Sequence, residues 1–276
     1  MTGPTVAHAL AQARERGLDR LDASLLLGEV LHRSRTWLLA HGDAPLTSAE
    51  SAAWDALAAR RAGGEPLAYI IGRKEFRGLV FRVEPSVLIP RPETEILVEQ
   101  ALGLLRRGPL TASSPRLVDL GTGSGAIAIA CKSAHPAAKI LASDTSAAAL
   151  AVARANAARL GVEVEFRIGS WWQPWAGERF DIIVSNPPYV AAADPHLVAL
   201  RHEPLDALSA GIDGLEALEA IVGDAARHLQ PGGWIWLEHG FDQAPAVRSM
   251  FVGAGFSTIE TVTDLASQPR CTGATL

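Results

Sequence analysis

Residues 117–125 read LVDLGTGSG, an apolar run that meets a glycine-rich turn. The apolar residues predict a buried strand, and a helix is predicted directly after the turn, over 126–133. Glycines let a backbone turn tightly and let a ligand approach it closely, and the start of the helix offers unpaired N–H groups. Such a strand–turn–helix unit occurs in many nucleotide-binding folds, although a turn kept only for packing has the same pattern.

Asp144 indicates which kind of ligand the glycine turn binds. Asp144 ends the next predicted strand, where a carboxylate is placed to accept both hydroxyls of a ribose, so the pair predicts an adenosine-containing cofactor. In the dinucleotide pattern G-x-G-x-x-G the third glycine would stand at the position of Ala126, but here it is Gly125. This spacing, preceded by Asp119, favours S-adenosylmethionine over NAD.

S-adenosylmethionine carries a positive sulfonium and a positive amino group, and it has no pyrophosphate to place at a helix N-terminus. Carboxylates close to the glycine turn would therefore suit it. Asp119 and Glu95 are the candidates, and each could equally belong to a buried structural ion pair.

From Arg116 onward the sequence alternates between short apolar strands and amphipathic helices, which predicts an α/β fold with a parallel sheet covered on both faces. The chain closes with a further helix and two further strands. The predicted strands are 117–120, 139–143, 164–168, 181–185, 234–238, 257–262 and 271–276, and the predicted helices are 126–133, 147–160, 215–229 and 244–254.

The amino-terminal part has a different character. Residues 5–62 predict helices only, including one that begins at Thr47 with Glu50 three residues later, the pattern of a capping box. Residues 76–83 predict a β-hairpin that turns near Gly78. We therefore expect two domains: a helical domain over 1–70, and a hairpin linker plus the α/β domain over 71–276.

Residues 186–189 read NPPY and follow the apolar strand 181–185. Proline fixes its own φ and restricts the residue before it, so Asn186 and Pro187 are held extended. That stiffness aims the side-chain oxygen of Asn186 and the carbonyl of Pro187 at one point. Two converging acceptors suit a planar –NH2 group whose lone pair then faces an electrophilic methyl group. A simple Asn-Pro turn after a strand would show the same residues.

Composition limits the alternatives. The chain has 276 residues, of which 48% are hydrophobic, so it can bury a large core. Its net charge is −5, so the composition shows no excess of basic residues for phosphate binding. The two cysteines and eight histidines match no metal spacing, so no metal is expected. Residues 1–4 lack the pattern of a signal peptide, and no apolar run approaches the ~18 residues of a membrane span. These features predict a cytoplasmic protein.

Four segments occur in one order: residues 69–76 (YIIGRKEF), residues 88–95 (LIPRPETE), the glycine turn and the NPPY tetrapeptide. Together they resemble the peptide chain release factor N5-glutamine methyltransferases, the PrmC/HemK family, over nearly the whole chain. NPPY alone is shared with adenine-N6 DNA methyltransferases, whereas the second segment is much more specific. The resemblance implies a Rossmann-like fold and the activity of a class I S-adenosylmethionine-dependent methyltransferase. It also implies that the helical domain helps to bind the release factor.

The resemblance also implies roles for individual residues. It places the cofactor against the glycine turn, against Asp144 at the ribose and against Trp171 at the adenine, while Asn186 touches both cofactor and substrate. Asn186, Pro187 and Tyr189 are the expected catalytic residues, with Tyr189 packed on the substrate amide or filling space in the wall. The complete expected set is Gly121, Thr122, Gly123, Ser124, Gly125, Asp144, Trp171 and Asn186 for the cofactor, and Asn186, Pro187, Pro188 and Tyr189 for the substrate glutamine.

Two places differ from the family pattern. Ser170 stands where an acidic residue is usual, and the adjacent Trp172 is an alternative to Trp171 beside the adenine. Around Arg270, residues 267–269 and Cys271 diverge from the pattern.

Four other functions share part of the pattern. Three are enzymes: a ribosomal-protein glutamine methyltransferase, an adenine-N6 nucleic-acid methyltransferase and an NAD-dependent oxidoreductase. The fourth is a non-catalytic cofactor-binding protein, although every expected catalytic position is filled. The negative net charge argues against direct binding of nucleic acid, and the spacing of the glycines argues against NAD as the cofactor. The sequence therefore favours methyl transfer from S-adenosylmethionine to the glutamine of release factors, with S-adenosylhomocysteine as product.

Overall fold

The structure is a computed structural model that describes residues 4–107 and 114–276. Residues 1–3, on which part of the signal-peptide interpretation falls, lie outside the described residues. The chain separates into two compact units, Met1–Arg73 and Lys74–Leu276.

The first unit is built from helices, as its leucine and alanine patterns predict. Its buried centre includes Leu26, Leu27 and Trp54. The capping box forms as predicted: the Thr47 hydroxyl accepts from the Glu50 N–H, and the Glu50 carboxylate accepts from the Thr47 N–H. The helices are α1 (Val6–Glu15), α2 (Arg20–Leu31), α3 (Arg35–Ala40), α4 (Ser48–Ala62) and α5 (Leu67–Ile71).

The second unit follows the predicted order of a hairpin and then alternating strands and helices. The hairpin consists of β1 (Arg73–Phe76) and β2 (Leu79–Arg82), with Gly78 at φ +74° in the turn. The other strands are β3 (Arg116–Leu120), β4 (Lys139–Asp144), β5 (Glu165–Ile168), β6 (Phe180–Ser185), β7 (Leu229–Glu238), β8 (Thr258–Thr263) and β9 (Pro269–Thr275). The helices are α6 (Thr94–Arg106), α7 (Ala126–Ala134), α8 (Ala147–Leu160), α9 (Glu216–His228) and α10 (Ala244–Gly253).

Within the described residues, seven strands form one mixed sheet in the order β5-β4-β3-β6-β7-β9-β8. The strands from β5 to β7 pair in parallel, and β9 pairs antiparallel with both β7 and β8. The strand order reverses direction between β3 and β6, where ligands of open α/β sheets bind at the carboxyl ends of the strands. The predicted class I methyltransferase architecture, with its helical domain and hairpin, is confirmed.

The structure extends one predicted strand. The sequence predicts a strand over 234–238, but β7 begins at Leu229 and runs through a glycine pair that resembles a loop. The pairing with β6 shifts register between Phe180 and Ile182, which accommodates these residues. A Cβ at Gly233 would lie 2.8 Å from the Asp181 carbonyl oxygen, so the close approach of the two strands requires glycine there.

The antiparallel edge of the sheet provides a prediction about stability. Gly273 lies opposite Trp236, and a Cβ there would approach the buried indole to 2.2 Å at Cδ2. We expect Gly273→Ala to lower the free energy of unfolding by about 3 kcal/mol, because a packed indole can yield only by displacing its neighbours. Urea unfolding monitored by tryptophan fluorescence measures the change.

The matched control is Gly103→Ala in α6, where an added Cβ meets nothing within 4 Å and the backbone is helical. This substitution should raise stability by up to about 1 kcal/mol, because it reduces the entropy of the unfolded chain. Equal effects of the two substitutions would contradict the packing described around Trp236.

Candidate active site

A cavity of about 450 Å³ lies at the carboxyl ends of β3, β4 and β6. Pockets of 300–1,000 Å³ are typical of small-molecule sites. Its wall combines the glycine turn, the start of α8, the residues before α6 and part of the segment 190–214. The residues that line it include Leu88, Pro90, Arg91, Thr94, Gly121, Thr122, Gly123, Ser124, Asp144, Trp171, Asn186, Pro188, Pro204, Asp206 and Ala207.

The glycine turn is fixed by the neighbouring strand. The N–H groups of Gly121 and Thr122 both donate to the Ser143 carbonyl, each at 2.9 Å. Gly121, Gly123 and Gly125 all have positive φ, which glycine adopts without strain. Gly125 lies behind the cavity wall, where a Cβ would come within 2.7 Å of Ile129. The turn therefore presents backbone rather than side chains to the cavity.

Asp144 supports this turn and also faces the cavity. Its Oδ2 accepts from the Gly123 N–H at 2.9 Å, and its Oδ1 accepts from the Ser146 N–H at 2.8 Å. Partial burial raises the pKa of the carboxyl, which the two backbone N–H groups oppose. Each oxygen of a carboxylate has a second lone pair, so two further hydrogen bonds from a ligand can be accepted.

The two adjacent tryptophans have different environments. Trp171 lines the cavity at φ +40°, and its ring lies beside Gly121, 3.4 Å from where a Cβ would stand. Trp172 is buried: its Nε1 donates to the Ile221 carbonyl and its ring stacks on His228. Trp171 is therefore the indole that a ligand in the cavity can reach.

The two additional carboxylate candidates do not line the cavity. Asp119 is fully buried, and its Oδ2 accepts from the Thr122 hydroxyl at 2.6 Å and from the Ala128 N–H at 3.3 Å. Burial raises the pKa of Asp119 to about 7, and its Oδ1 has no partner among the described residues. Glu95 accepts from the Arg77 N–H in the hairpin turn. Both carboxylates thus have structural contacts.

Asn186 lies at the carboxyl end of β6 with its side chain in the cavity wall. Its Nδ2 donates to the Thr94 hydroxyl at 3.1 Å, so the Oδ1 is the side-chain atom left to accept from a ligand. The carbonyl of Pro187 accepts no hydrogen bond from the described residues. Consecutive residues thus carry two acceptors without a partner among the described residues, of which the Asn186 Oδ1 lies in a residue that lines the cavity and the Pro187 carbonyl in one that does not.

Tyr189 is tied to the next strand rather than exposed in the cavity. Its hydroxyl donates to the Glu238 carboxylate at 3.3 Å, and its carbonyl accepts from Gln243 Nε2 at 3.0 Å. Burial of Glu238 raises the pKa of that carboxyl to about 7, while side-chain interactions with Thr94 and Tyr189 lower it. Pro187 is buried behind the cavity wall, whereas Pro188 lines it.

The segment 190–214, which the sequence leaves without a predicted element, contains two short 3₁₀ helices at Pro195–Val198 and Leu205–Ala207. Glu203 fixes it to the residues before α6. Its Oε1 pairs with Arg91 Nη2 at 2.5 Å, and its Oε2 accepts from the Ile89 N–H at 3.0 Å. Because Arg91, Pro204 and Asp206 line the cavity, this ion pair connects two parts of its wall.

Loss of that connection should be measurable. Glu203 is 7% exposed, so Glu203→Gln removes a largely buried charge partner and should lower the free energy of unfolding by about 2 kcal/mol. We expect amide hydrogen exchange over 190–214 to rise about tenfold, because the segment loses its ion pair while the sheet is untouched. The exposed Glu219→Gln in α9 is the control and should change neither quantity. Unchanged protection of the segment in Glu203→Gln would show that other contacts hold it.

The residues of the cavity fit S-adenosylmethionine. Asp144 offers open lone pairs where ribose hydroxyls bind in such folds, Trp171 offers an aromatic face, and the turn at Gly121–Gly123 offers close backbone approach. In the described part of the chain, no group of three or more His, Cys, Asp or Glu side chains could hold a metal ion.

A mixed seven-stranded sheet with this cavity at the end of its parallel strands defines the class of S-adenosylmethionine-dependent methyltransferases. The methyltransferase small domain family matches residues 100–202, and the PrmC N-terminal domain family matches residues 5–72. Release factor glutamine methyltransferase of Bordetella pertussis is 50% identical over 94% of this chain and 96% of its own length. That of Xylella fastidiosa, strain Temecula1, is 49% identical over 98% and 97%. The chain belongs to the release factor glutamine methyltransferase family.

Among solved structures, a 16S rRNA methyltransferase of T. thermophilus in complex with AdoMet and guanosine is similar with a TM-score of 0.55 and 20% identity. The match covers 74% of this chain and 49% of that one, and it shows the shared fold. No helix among residues 4–107 and 114–276 is both long and apolar enough to cross a membrane.

Proposed function

We propose that the chain transfers a methyl group from S-adenosylmethionine to the side-chain amide nitrogen (N5) of the glutamine in the GGQ motif of peptide chain release factors, and so supports translation termination. The observation that carries this proposal is the 50% identity to a release factor glutamine methyltransferase over nearly the full length of both chains. The open acceptors at Asn186 and Pro187 supply the chemistry that a glutamine amide needs.

Bound S-adenosylmethionine supplies a methyl group on a positively charged sulfur. Asn186 Oδ1 and the Pro187 carbonyl accept the two N–H hydrogens of the glutamine amide and fix the direction of the nitrogen lone pair. Holding reactants in a productive orientation is among the largest contributions that a site can make to a rate. With S-adenosylmethionine held at the glycine turn and Asp144, the methyl group would pass to the nitrogen positioned by Asn186 and Pro187, and the electron pair of the broken C–S bond would stay on sulfur, giving S-adenosylhomocysteine.

Asn186 and Pro187 also stabilise the charge that develops on the substrate nitrogen. An amide nitrogen becomes positive as the methyl arrives, and the two oxygens already bonded to its hydrogens stabilise that charge. The nitrogen then releases one proton to solvent, so no strong base is required of the chain. We assign Asn186, Pro187 and Tyr189 as the catalytic residues, with Pro188 completing the substrate site.

For the cofactor we assign Gly121, Thr122, Gly123, Ser124, Gly125, Asp144, Trp171 and Asn186. Release factors are the proposed partners, with no membrane and no direct nucleic-acid contact, and the cytoplasm, where translation takes place, is the proposed location. The helical domain, assigned to residues 1–70, is proposed to help bind the release factor, and residues 71–276 to form the catalytic domain with its hairpin linker. A ribosomal-protein glutamine or an adenine as acceptor would use the same four residues, 186–189, which directly follow β6.

The test supplies labelled S-adenosylmethionine to the purified enzyme with release factors, ribosomal proteins and DNA in parallel. We expect label in the release factor and its loss when the GGQ glutamine is replaced by alanine. Mass spectrometry of the tryptic peptide should show one added methyl group on that glutamine. Label only in ribosomal protein or only in DNA would replace the proposed substrate by that alternative.

A further inference from the structure

Asn156, in the middle of α8, connects two parts of the α/β domain through its side chain and is fully buried. Its Nδ2 donates to the carbonyls of Ser124 and Arg82, each at 3.0 Å, and its Oδ1 accepts from the Arg82 N–H at 2.7 Å. Both N–H donors of the carboxamide and its oxygen are thus in use. Exchanging Oδ1 and Nδ2 would place an oxygen against two carbonyls, so the network itself determines the orientation of the side chain.

Ser124 is the end of this connection that lies at the cavity, in the glycine turn. Its carbonyl bonds to Asn156, and the N–H of the same peptide group, that of Gly125, donates to the Thr122 carbonyl at 2.9 Å. A Cβ at Gly125 would also stand 3.2 Å from the Cβ of Ala153, one turn earlier in α8. Helix α8 therefore supports the turn that we assign to the cofactor both by packing and by a hydrogen bond.

Arg82 is the other end of the connection, and it lies outside the cavity wall. It is the last residue of β2, and the cavity is lined by neither strand of the hairpin. A second bond, from the Arg159 guanidinium to the Val80 carbonyl, joins α8 to the same strand. The hairpin leads directly into residues 86–91, most of which line the cavity. Asn156 thus connects the glycine turn to an element that precedes another part of the wall.

We propose that Asn156 is a positioning residue for cofactor binding and that it couples the glycine turn to the hairpin. This inference rests on the proposed function, in which the turn holds S-adenosylmethionine. Loss of the side chain would remove a hydrogen bond from the Ser124 carbonyl and from both backbone groups of Arg82, so the turn and the hairpin would both be less ordered. Coupling between two sites is reciprocal, so a cofactor that orders the turn also orders the hairpin.

Hydrogen exchange of the wild-type enzyme, resolved by NMR, tests this coupling without a methyl acceptor. Because the Arg82 N–H donates to Asn156, exchange of this amide measures how often the connection opens. With S-adenosylmethionine at about ten times its Kd, we expect the exchange to slow between about threefold and tenfold, since the opened state binds the cofactor weakly. Amides of β8, at the far end of the sheet, are the reference and should slow less than about 1.5-fold. No change at Arg82, or an equal change in β8, would overturn the coupling.

A pair of variants tests the part played by Asn156 itself. Asn156→Ala removes its bonds to Ser124 and Arg82 and places a good helix former in α8. We expect the Kd for S-adenosylmethionine to rise about tenfold, the effect of about one lost hydrogen bond, and the cofactor to slow exchange over 79–82 less than about 1.5-fold. Arg159→Met, the matched control, removes the bond to Val80 but leaves Ser124 bonded, so the Kd should stay within about twofold of wild type. Equal Kd values in the two variants would show that Asn156 does not position the turn.

Asp144→Ala separates a failure of this inference from a failure of the proposed function. If Asp144→Ala weakens cofactor binding while Asn156→Ala does not, the cofactor lies against the turn but Asn156 does not position it. If neither substitution changes the Kd, the cofactor does not bind at the turn, and the role of Asn156 is excluded together with that assignment. All of these measurements are made on the enzyme with cofactor alone, so none depends on which protein is methylated.

Discussion

Replacing Asn186 by alanine should lower kcat with a release factor between about 10²- and 10³-fold, the loss seen when one preorganised polar group is removed from a transition state. The substitution removes the Oδ1 acceptor that the wall of the cavity presents and leaves the Pro187 carbonyl as the remaining acceptor. The amide of the substrate glutamine then has only one N–H held by an acceptor, so the direction of its nitrogen lone pair is no longer fixed. Single-turnover transfer of labelled methyl, with enzyme in excess over release factor, measures the chemical step directly.

Cofactor binding should largely survive this change. The groups that we assign to the ribose and the adenine, Asp144 and Trp171, make no hydrogen bond to Asn186. We therefore expect the Kd for S-adenosylmethionine to rise less than about fivefold, since only the edge of its site is changed. Isothermal titration calorimetry measures this Kd. A kcat within about threefold of wild type would show that the two-acceptor mechanism is wrong.

Asn186→Asp provides a matched comparison. The carboxylate keeps oxygen acceptors at the same place but loses the Nδ2 donor to the Thr94 hydroxyl. It also introduces a negative charge into the wall of the cavity. We expect a kcat between those of wild type and Asn186→Ala, because an acceptor is present but its direction is no longer set. An aspartate variant slower than the alanine variant would indicate that charge, rather than orientation, limits the site.

The sequence predicts the fold of this chain well, because its strands are short apolar runs between amphipathic helices. The extension of β7 to Leu229 is missed, since its Pro-Gly-Gly stretch has the composition of a turn and only the partner strand holds it extended. The glycine turn and Asp144 are also predictable, because both stand at strand ends and such ends converge at one edge of a parallel sheet. Asp119 and Glu95 are predicted by charge alone, and charge does not show that each bonds to backbone elsewhere.

The supporting residues of the site are not predictable in the same way. Glu203 lies in a segment without periodicity and meets Ile89 across 114 positions of sequence. Asn156, in the middle of α8, donates to the Ser124 carbonyl and bonds both backbone groups of Arg82, and so links the glycine turn to the hairpin. Each is a polar residue at a buried position, a signal that becomes visible only when the fold shows which positions are buried.

The second large effect concerns the cofactor. Asp144→Ala should raise the Kd for S-adenosylmethionine about 100-fold, because two hydrogen bonds to a charged acceptor at about 1.5 kcal/mol each correspond to two orders of magnitude. The loss has a second source within the protein: the Gly123 N–H, which donates to Asp144 Oδ2, would lose its partner. The turn would then be less ordered where the cofactor approaches its backbone. Calorimetric titration of the free enzyme measures the change.

Asp144→Asn separates charge from shape in this prediction. A carboxamide can accept from one of the two backbone N–H groups, of Gly123 or Ser146, but its own –NH2 must face the other. We expect a Kd nearly as weak as that of the alanine variant, since two donors would oppose each other in a half-buried site. The control is Asp224→Asn in α9, where Arg227 is the one partner of the carboxylate among the described residues and the Kd should not change.

The kinetic pattern distinguishes Asp144 from Asn186. At saturating S-adenosylmethionine, Asp144→Ala should recover at least about half of the wild-type kcat, because a residue that binds cofactor equally in ground and transition states affects KM rather than kcat. Asn186→Ala should show the reverse pattern, with a low kcat that excess cofactor does not restore. If saturation fails to rescue Asp144→Ala while its Kd remains within about threefold of wild type, the carboxylate acts on the chemical step and the assignment to the ribose is wrong.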